Sequence, residues 1–497
     1  MRDRGGGGLH RRGILAGLLA SAGSAVFAGA PATSPRPPVR GAMPVLPLPK
    51  TAQLVEDARL GGEVAFAVSD AETGEILEAR LPETPLPPAS TLKVVTTLYA
   101  LERLGPDFRF QTDVLATGPV VNGRLKGDLI LAGGGDPTLD VDRLGDMASD
   151  LRKAGLIEIT GRFLVWRDAL PRGNRIDTEQ PEQVAYNPAF GGLNLNFNRV
   201  HFEWQRSGDG YETSVQANGL RFNPATDVAE VALVDRPAPV FDYSDGHGRD
   251  LWSVAEGVLG KTGARWLPVR YPARYAGDVF CTLMRSNGIV LPKAEILDGG
   301  VPDGAVRLGV SESGPLTEVL REMLKYSTNL TAELAGLTAS QSEGVPVSSL
   351  RSSALRMSGW AARRMGVRGL HLVDHSGLGS GSGMTPAAMV EILRQGGAAA
   401  PLLKPVNLSL DRKRPSPDGV TVLAKTGTLN FVSALVGFLR TKGGRDLCFA
   451  IYTADLARHD AVPPEARERP PGLQGWLRRS RQLQKELIRA WAARADA

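Results

Sequence analysis

The chain's texture changes twice along its length, and this is what most constrains its fold. Residues 50–110 open with a strand pair and close with a helix. Residues 111–279 are short strands and turns. From 280 onward longer helices return, followed by two apolar strands and a last helix. A chain that leaves one texture and comes back to it must build one body from its two outer segments and carry the middle as an insertion. At 497 residues there is room for two or three domains.

The local signals are ordinary ones. In "EVAFAVSDAETGEILEAR" apolar residues alternate on both sides of a turn near Thr73-Gly74. In the middle region Asn122-Gly123 marks one hairpin and Ser207–Gly210 another, and "DVAEVALVD" reads as a further strand. "GPLTEVLREMLKYSTNLTAELAGLTAS" and "SSLRSSALRMSGWAARRMG" read as helical, and "SALVGFLRT" and "DLCFAIYT" as an antiparallel pair. In the last segment Leu473, Trp476, Leu477, Leu483, Leu487 and Trp491 fall on one face. That face predicts a helix packed on a sheet; the arginine-rich opposite face offers peripheral membrane contact as the alternative.

The ends and the composition exclude several classes. Residues 1–32 have arginines ahead of the small, apolar run "GILAGLLASAGSAVFAGA", as an export signal does, with cleavage after Ala28 or Ala32. "HRRGIL" is similar to part of a twin-arginine signal, and an uncleaved anchor is the competing reading. Residues 33–49 are a proline-rich leader. Net charge is +5, with no basic stripe interleaved with aromatics, so nucleic acid is not an expected partner. There is no CxxC or HExxH and the histidines are scattered, so neither a metal nor a cofactor is expected. Cys281 and Cys448 lie in apolar runs; two buried free thiols are expected, with a disulfide left open.

The chemistry begins in "PPASTLKVVTTLYALERLG", residues 87–105. Pro87 and Pro88 bar an earlier helix, Val94, Val95, Leu98, Leu101 and Leu104 form an apolar face, and Gly105 is a stop. Ser90 and Lys93 are three residues apart and share a face. Taken alone, the pair is a helix cap and a snorkelling lysine. An amine desolvated among Leu92, Val94 and Val95 is also a base, and the hydroxyl beside it a nucleophile. Two later runs decide between these readings: Ser327-Thr328-Asn329, and Lys425-Thr426-Gly427 followed by Thr428. Ser-x-x-Lys, Ser-x-Asn and Lys-Thr-Gly in this order are a known set in penicillin-binding proteins and class A β-lactamases.

With the long segment between Ser90 and Ser327, the layout resembles the low-molecular-mass class C penicillin-binding proteins, the serine D-alanyl-D-alanine carboxypeptidase/endopeptidase family. "LAGGGDPTL" (131–139), "YNPAFGGLNLNFN" (186–198) and "DHSGLGSGSGMTP" (374–386) carry the resemblance further. It implies an α+β penicillin-binding/β-lactamase-like catalytic domain, an antiparallel sheet of five strands flanked by helices, built from residues 50–110 and 280–497, with a β-rich insertion at 111–279. It implies a periplasmic enzyme acting on peptidoglycan stem peptides and acylated by β-lactams. Ser90 would be the nucleophile and Lys93 its base. Ser327 would relay a proton and Asn329 would hold Lys93 and a substrate amide. Lys425, Thr426 and Thr428 would bind a free carboxylate, with Gly427 giving close approach, and the N–H groups of Ser90 and Thr428 would form the oxyanion hole. Asp136 would face the amine of a diaminopimelate-type side chain. A β-lactamase or esterase, and a non-catalytic peptidoglycan-binding scaffold, are the alternatives. One departure stands out: the family's Asp-Gly-Ser-Gly-Leu-Ser-Arg is here Asp374 to Ser380, with Ser380 at the arginine position. A Ser-His-Asp triad through His375 has no Gly-x-Ser-x-Gly elbow to frame it.

Overall fold

A six-stranded antiparallel sheet carries the site. The computed structural model describes residues 50–497, so the expected signal and leader lie outside the described residues. The strand order is Lys404–Pro405, Thr421–Leu429, Val432–Arg440, Asp446–Ala454, Glu63–Asp70, Ile76–Arg80. Every neighbour is antiparallel. The five strands implied by the resemblance are present, and a two-residue edge strand is added. Val432–Arg440 and Asp446–Ala454 are mostly apolar and buried along nearly their whole length, because both faces of the sheet are covered.

The final helix, Leu473–Ala495, covers one face. Its six signalled residues are all buried, and the Trp491 ring lies 5.5 Å from that of Phe66. This corrects the membrane-contact reading: the helix's apolar face is spent on the sheet. No helix among the described residues is long and apolar enough to cross a membrane. The other face packs on Lys93–Leu104, Leu316–Tyr326, Asn329–Gln341, Leu350–Met365 and Pro386–Gln395, which share a second apolar core.

The insertion is larger and more helical than the sequence boundary implies. Its main sheet runs Ala294–Leu297, Phe163–Trp166, Leu129–Gly133, Gln111–Ala116, Val306–Glu312, and Phe163–Trp166 is parallel to both of its neighbours. Helices Val141–Lys153 and Pro272–Ser286 pack into its core. The boundary at 279/280 therefore falls inside a helix. The insertion runs on to Glu312, because the strand ending there pairs with the strand that opens it. Three three-stranded sheets complete it: Gly210–Gln216, Arg199–Ser207, Thr262–Pro268; Ala229–Val234, Asp250–Ala255, Phe241–Asp245; and Val120–Val121, Arg124–Leu125, Glu158–Ile159. Cys281 and Cys448 are buried and free.

Candidate active site

Helix-forming runs position the site by where they break. Ala89–Leu92 is a tight 3-10 turn that leads into Lys93–Leu104. Ala89 sits at φ 47°, a left-handed conformation costly for a residue with a Cβ, directly before the nucleophile. Gly377 packs on this turn so closely that a Cβ there would lie 1.9 Å from the Ala89 carbonyl oxygen. The run expected as one long helix is two, Leu316–Tyr326 and Asn329–Gln341, divided at Ser327, whose φ is 61°. The break turns Ser327 and the first residue of the second helix, Asn329, toward Lys93 and Lys425.

Lys93 is fully buried and donates from Nζ to Ser90 Oγ (3.0 Å), Asn329 Oδ1 (2.7 Å) and the Ser376 carbonyl (2.8 Å). Burial lowers its pKa, against the pull of Glu333 and Asp374. A neutral amine has two N–H groups and one lone pair. Asn329 and Ser376 take the two N–H groups, which leaves the lone pair for the Ser90 hydroxyl. Ser90 itself is half-buried and so open to a substrate.

On the sheet side Lys425 Nζ donates to Ser327 Oγ (2.9 Å) and to the Thr426 carbonyl (2.8 Å). It is 1 % exposed. Burial, then repulsion from Lys93 and Lys404, lowers its pKa to about 6. Thr426 and Thr428 alternate with it on the strand and are exposed. Gly427 has a more specific use than ligand approach: a Cβ there would lie 2.8 Å from the Pro88 carbonyl oxygen and 3.1 Å from the Ser90 nitrogen, so glycine lets the strand lie against the nucleophile's turn.

Asp136 is not among the groups brought together. It is 1 % exposed, paired to Arg143 at 2.8 Å, and accepts from Thr138 N (2.8 Å) and Oγ1 (2.7 Å). The neighbouring Gly135 abuts Thr338, nine residues along its helix from Asn329, or about 13 Å at 1.5 Å per residue. An incoming ammonium would have to displace the Arg143 guanidinium. The motif "GGGDPTL" thus marks a structural ion pair, and the amine-facing role is withdrawn. His375 is also elsewhere: its Nε2 is 2.7 Å from Ser353 Oγ, and burial lowers its pKa to about 3.

Sequence reasoning passed over several groups that hold the site. Glu333, one turn after Asn329 and fully buried, accepts from the N–H of His375 and of Ser376 at 2.9 Å each. Asp374 accepts from Gly377 N (2.8 Å) and Gly379 N (2.7 Å). The two carboxylates clamp the loop that delivers the Ser376 carbonyl to Lys93. Burial raises the pKa of both, and each bears on Lys93. From the insertion, the Tyr186 carbonyl accepts from Asn329 Nδ2 (2.9 Å), and Glu179 Oε2 accepts from Ser380 Oγ (3.2 Å). Glu333 had a signal, the one charged residue in a helix that is otherwise uncharged. A backbone carbonyl has none.

A serine in a tight turn, hydrogen-bonded to a buried lysine at the start of the following helix and set against an antiparallel sheet, is the arrangement of an active-serine enzyme with the penicillin-binding/β-lactamase-like fold. The comparisons narrow this. The model of the D-Ala-D-Ala carboxypeptidase 3 (S13) family matches residues 49–477, and the chain belongs to that family. It is therefore a serine-type D,D-peptidase of the class C penicillin-binding group, acting on peptidoglycan. It is 29% identical over 470 residues to a D-alanyl-D-alanine carboxypeptidase of Actinomadura sp. (strain R39), covering 82% of each chain. It is 26% identical over 465 residues to a carboxypeptidase of Mycobacterium tuberculosis, covering 85% of this chain and 86% of that one. The crystal structure of penicillin binding protein 4 from Haemophilus influenzae has the same fold. It superposes with a TM-score of 0.71 at 20% identity, over 88% of this chain and 99% of that one. A second structure of the Haemophilus protein holds a β-lactam.

Proposed function

We propose that the protein removes or cleaves at D-alanine in stem peptides through an acyl-enzyme on Ser90, outside the cytoplasmic membrane where that substrate lies. One observation carries the reading: Ser90 Oγ, Lys93 Nζ and Asn329 Oδ1 form a contiguous hydrogen-bonded chain, with Ser327 and Lys425 joined beside it. Lys93 takes the Ser90 proton as Oγ bonds to the penultimate D-Ala carbonyl carbon. The resulting oxyanion lies between the N–H groups of Ser90 and Thr428. As the C–N bond breaks, the proton passes through Ser327 to the leaving amine. Water then attacks the ester, and Ser90 is released with the acid. Lys425, Thr426 and Thr428 hold the terminal carboxylate. When the leaving amine is terminal D-Ala the act is carboxypeptidation; when it is a cross-linking side chain the act is endopeptidation.

A β-lactam would enter the same sequence, its ring amide opening onto Ser90. Slow deacylation is expected, since Glu333 and Asp374 are engaged with backbone N–H groups and neither is free to activate water. A cationic substrate side chain would meet Glu179 and Asp177 on the insertion rather than Asp136. Glu179 bonds Ser380, and Asp177 acts electrostatically on Asp374. The test is labelling with a fluorescent penicillin alongside mass spectrometry of monomeric and cross-linked muropeptides. The wild type should be labelled and should release D-Ala. Equal labelling of Ser90→Ala would remove the proposal.

A further inference from the structure

The Ser90–Lys93 pair depends on Asn329, and Asn329 depends on the insertion. The two ends of an amide differ only as donor and acceptor, so their partners decide which way it faces. The Tyr186 carbonyl opposite Nδ2 turns Oδ1 toward Lys93. Tyr186 belongs to the segment 174–187, which has no helix or strand of its own. Two buried side chains hold it. Arg270, 5 % exposed, donates from Nη1 to the carbonyls of Asn174 (3.0 Å) and Asn187 (2.8 Å). Its Nη2 donates to the Glu182 carbonyl (2.6 Å) and carboxylate (3.2 Å). Asn187, fully buried, accepts at Oδ1 from Ile176 N (3.0 Å) and Asp177 N (2.9 Å) and donates to the Asp177 carbonyl (2.7 Å). One guanidinium thus ties both ends of the segment and its middle, and Asn187 closes the knot. The planar fork of arginine can do this; a lysine offers only a point charge.

We propose that Arg270 is a positioning residue for the peptidase: by tying residues 174, 182 and 187 it keeps the Tyr186 carbonyl on Asn329, and so sets the geometry of the Ser90–Lys93 pair without meeting the substrate. The inference rests on the peptidase reading above.

The test uses the full chain with Arg270→Met, Arg270→Lys and Asn187→Ala. Reactive sites are first titrated with labelled penicillin. The acylation rate per titrated site is then measured, with kcat and KM for D-Ala release from a stem pentapeptide. Displacement of groups far from the chemistry costs up to about 100-fold, so Arg270→Met should lose about 10- to 100-fold in rate per site. For a pentapeptide with an uncharged third side chain, KM should change by no more than about threefold, since the carboxylate-binding strand is untouched. Arg270→Lys should recover part of the loss, and Asn187→Ala should fall in the same direction. A brace needed only for stability would lower the titre or the unfolding temperature and leave the rate per site at the wild-type value. That result in Arg270→Met, or in Asn187→Ala if Arg270→Met does not fold, overturns the proposal alone. A wild-type chain that no penicillin acylates overturns the peptidase reading as well.

Discussion

The two flanks of the cleft each bury a lysine, and they treat it differently. On the helical flank Lys93 lies above two buried carboxylates, Glu333 and Asp374, which oppose the effect of burial. On the sheet flank Lys425 has a hydroxyl and a carbonyl for partners, and the charges named beside it are both lysines. The first amine is held where it can pass between protonated and neutral forms. The second, held low by burial and by its lysine neighbours, is an amine that gains its proton when an anion arrives. The contrast matches the two tasks proposed above, proton transfer on one side and carboxylate capture on the other.

The largest expected effect comes from the helical flank. Lys93→Met should lower the penicillin acylation rate by about 10²- to 10⁴-fold, the range for loss of a positioned base, with the fold retained by circular dichroism. Lys425→Ala should follow at about 10²-fold in kcat/KM for peptides with a free C-terminal carboxylate, because a desolvated charge pair loses one partner. C-terminally amidated peptides should lose much less. Equal losses for the two peptide types would break the assignment of carboxylate capture to the sheet flank.

Smaller effects sharpen the comparison. Acylation needs neutral Lys93, so its rate should rise with pH along a limb below the ordinary lysine value of 10.5. Glu333→Gln removes a negative charge that favours the ammonium, so the limb should move to lower pH, by about one unit; a shift to higher pH would contradict the role given to Glu333. Lys425, lowered to about 6 in the empty site, should take up a proton when a carboxylate product binds at pH 7.5. Calorimetry of D-alanine binding in buffers of different ionisation enthalpy would read that uptake, and buffer-independent heats would refute it. Asp136→Asn should lower the unfolding temperature, since a buried pair that loses one partner costs about 3 kcal/mol. It should leave the preference among substrate side chains unchanged.

The legible parts of this fold were those written in short-range patterns. The apolar spacing from Val94 to Leu104 gave the nucleophile's helix, and the Asn122-Gly123 and Ser207–Gly210 signals gave hairpins that the structure contains. The break at Ser327 was not legible, because no Pro or Gly marks it; tertiary packing holds a serine in a left-handed conformation that local preference disfavours. The insertion's far edge was missed because its closing strand pairs with one far back in the chain, beyond any local period. The motif that carries Asp136 was visible, but nothing in a sequence distinguishes a carboxylate facing a ligand from one already held by Arg143. The Tyr186 contact is made by main chain and leaves no mark on residue type at all.

The central sheet is assembled from strands on both sides of the insertion. Glu63–Asp70 is synthesised before the insertion, and its partner Asp446–Ala454 after it. Trp476 Nε1, later still, closes onto the Leu60 carbonyl. Glu63–Asp70 can pair early with Ile76–Arg80, but its other edge must wait for the late strand, and contacts of such long sequence separation form late in folding. The serine is made early, but the strand bearing Lys425 is not. A growing polypeptide therefore carries the hydroxyl long before the cleft that faces it can close, which ties the assembly of the site to the pairing of strands on either side of the insertion.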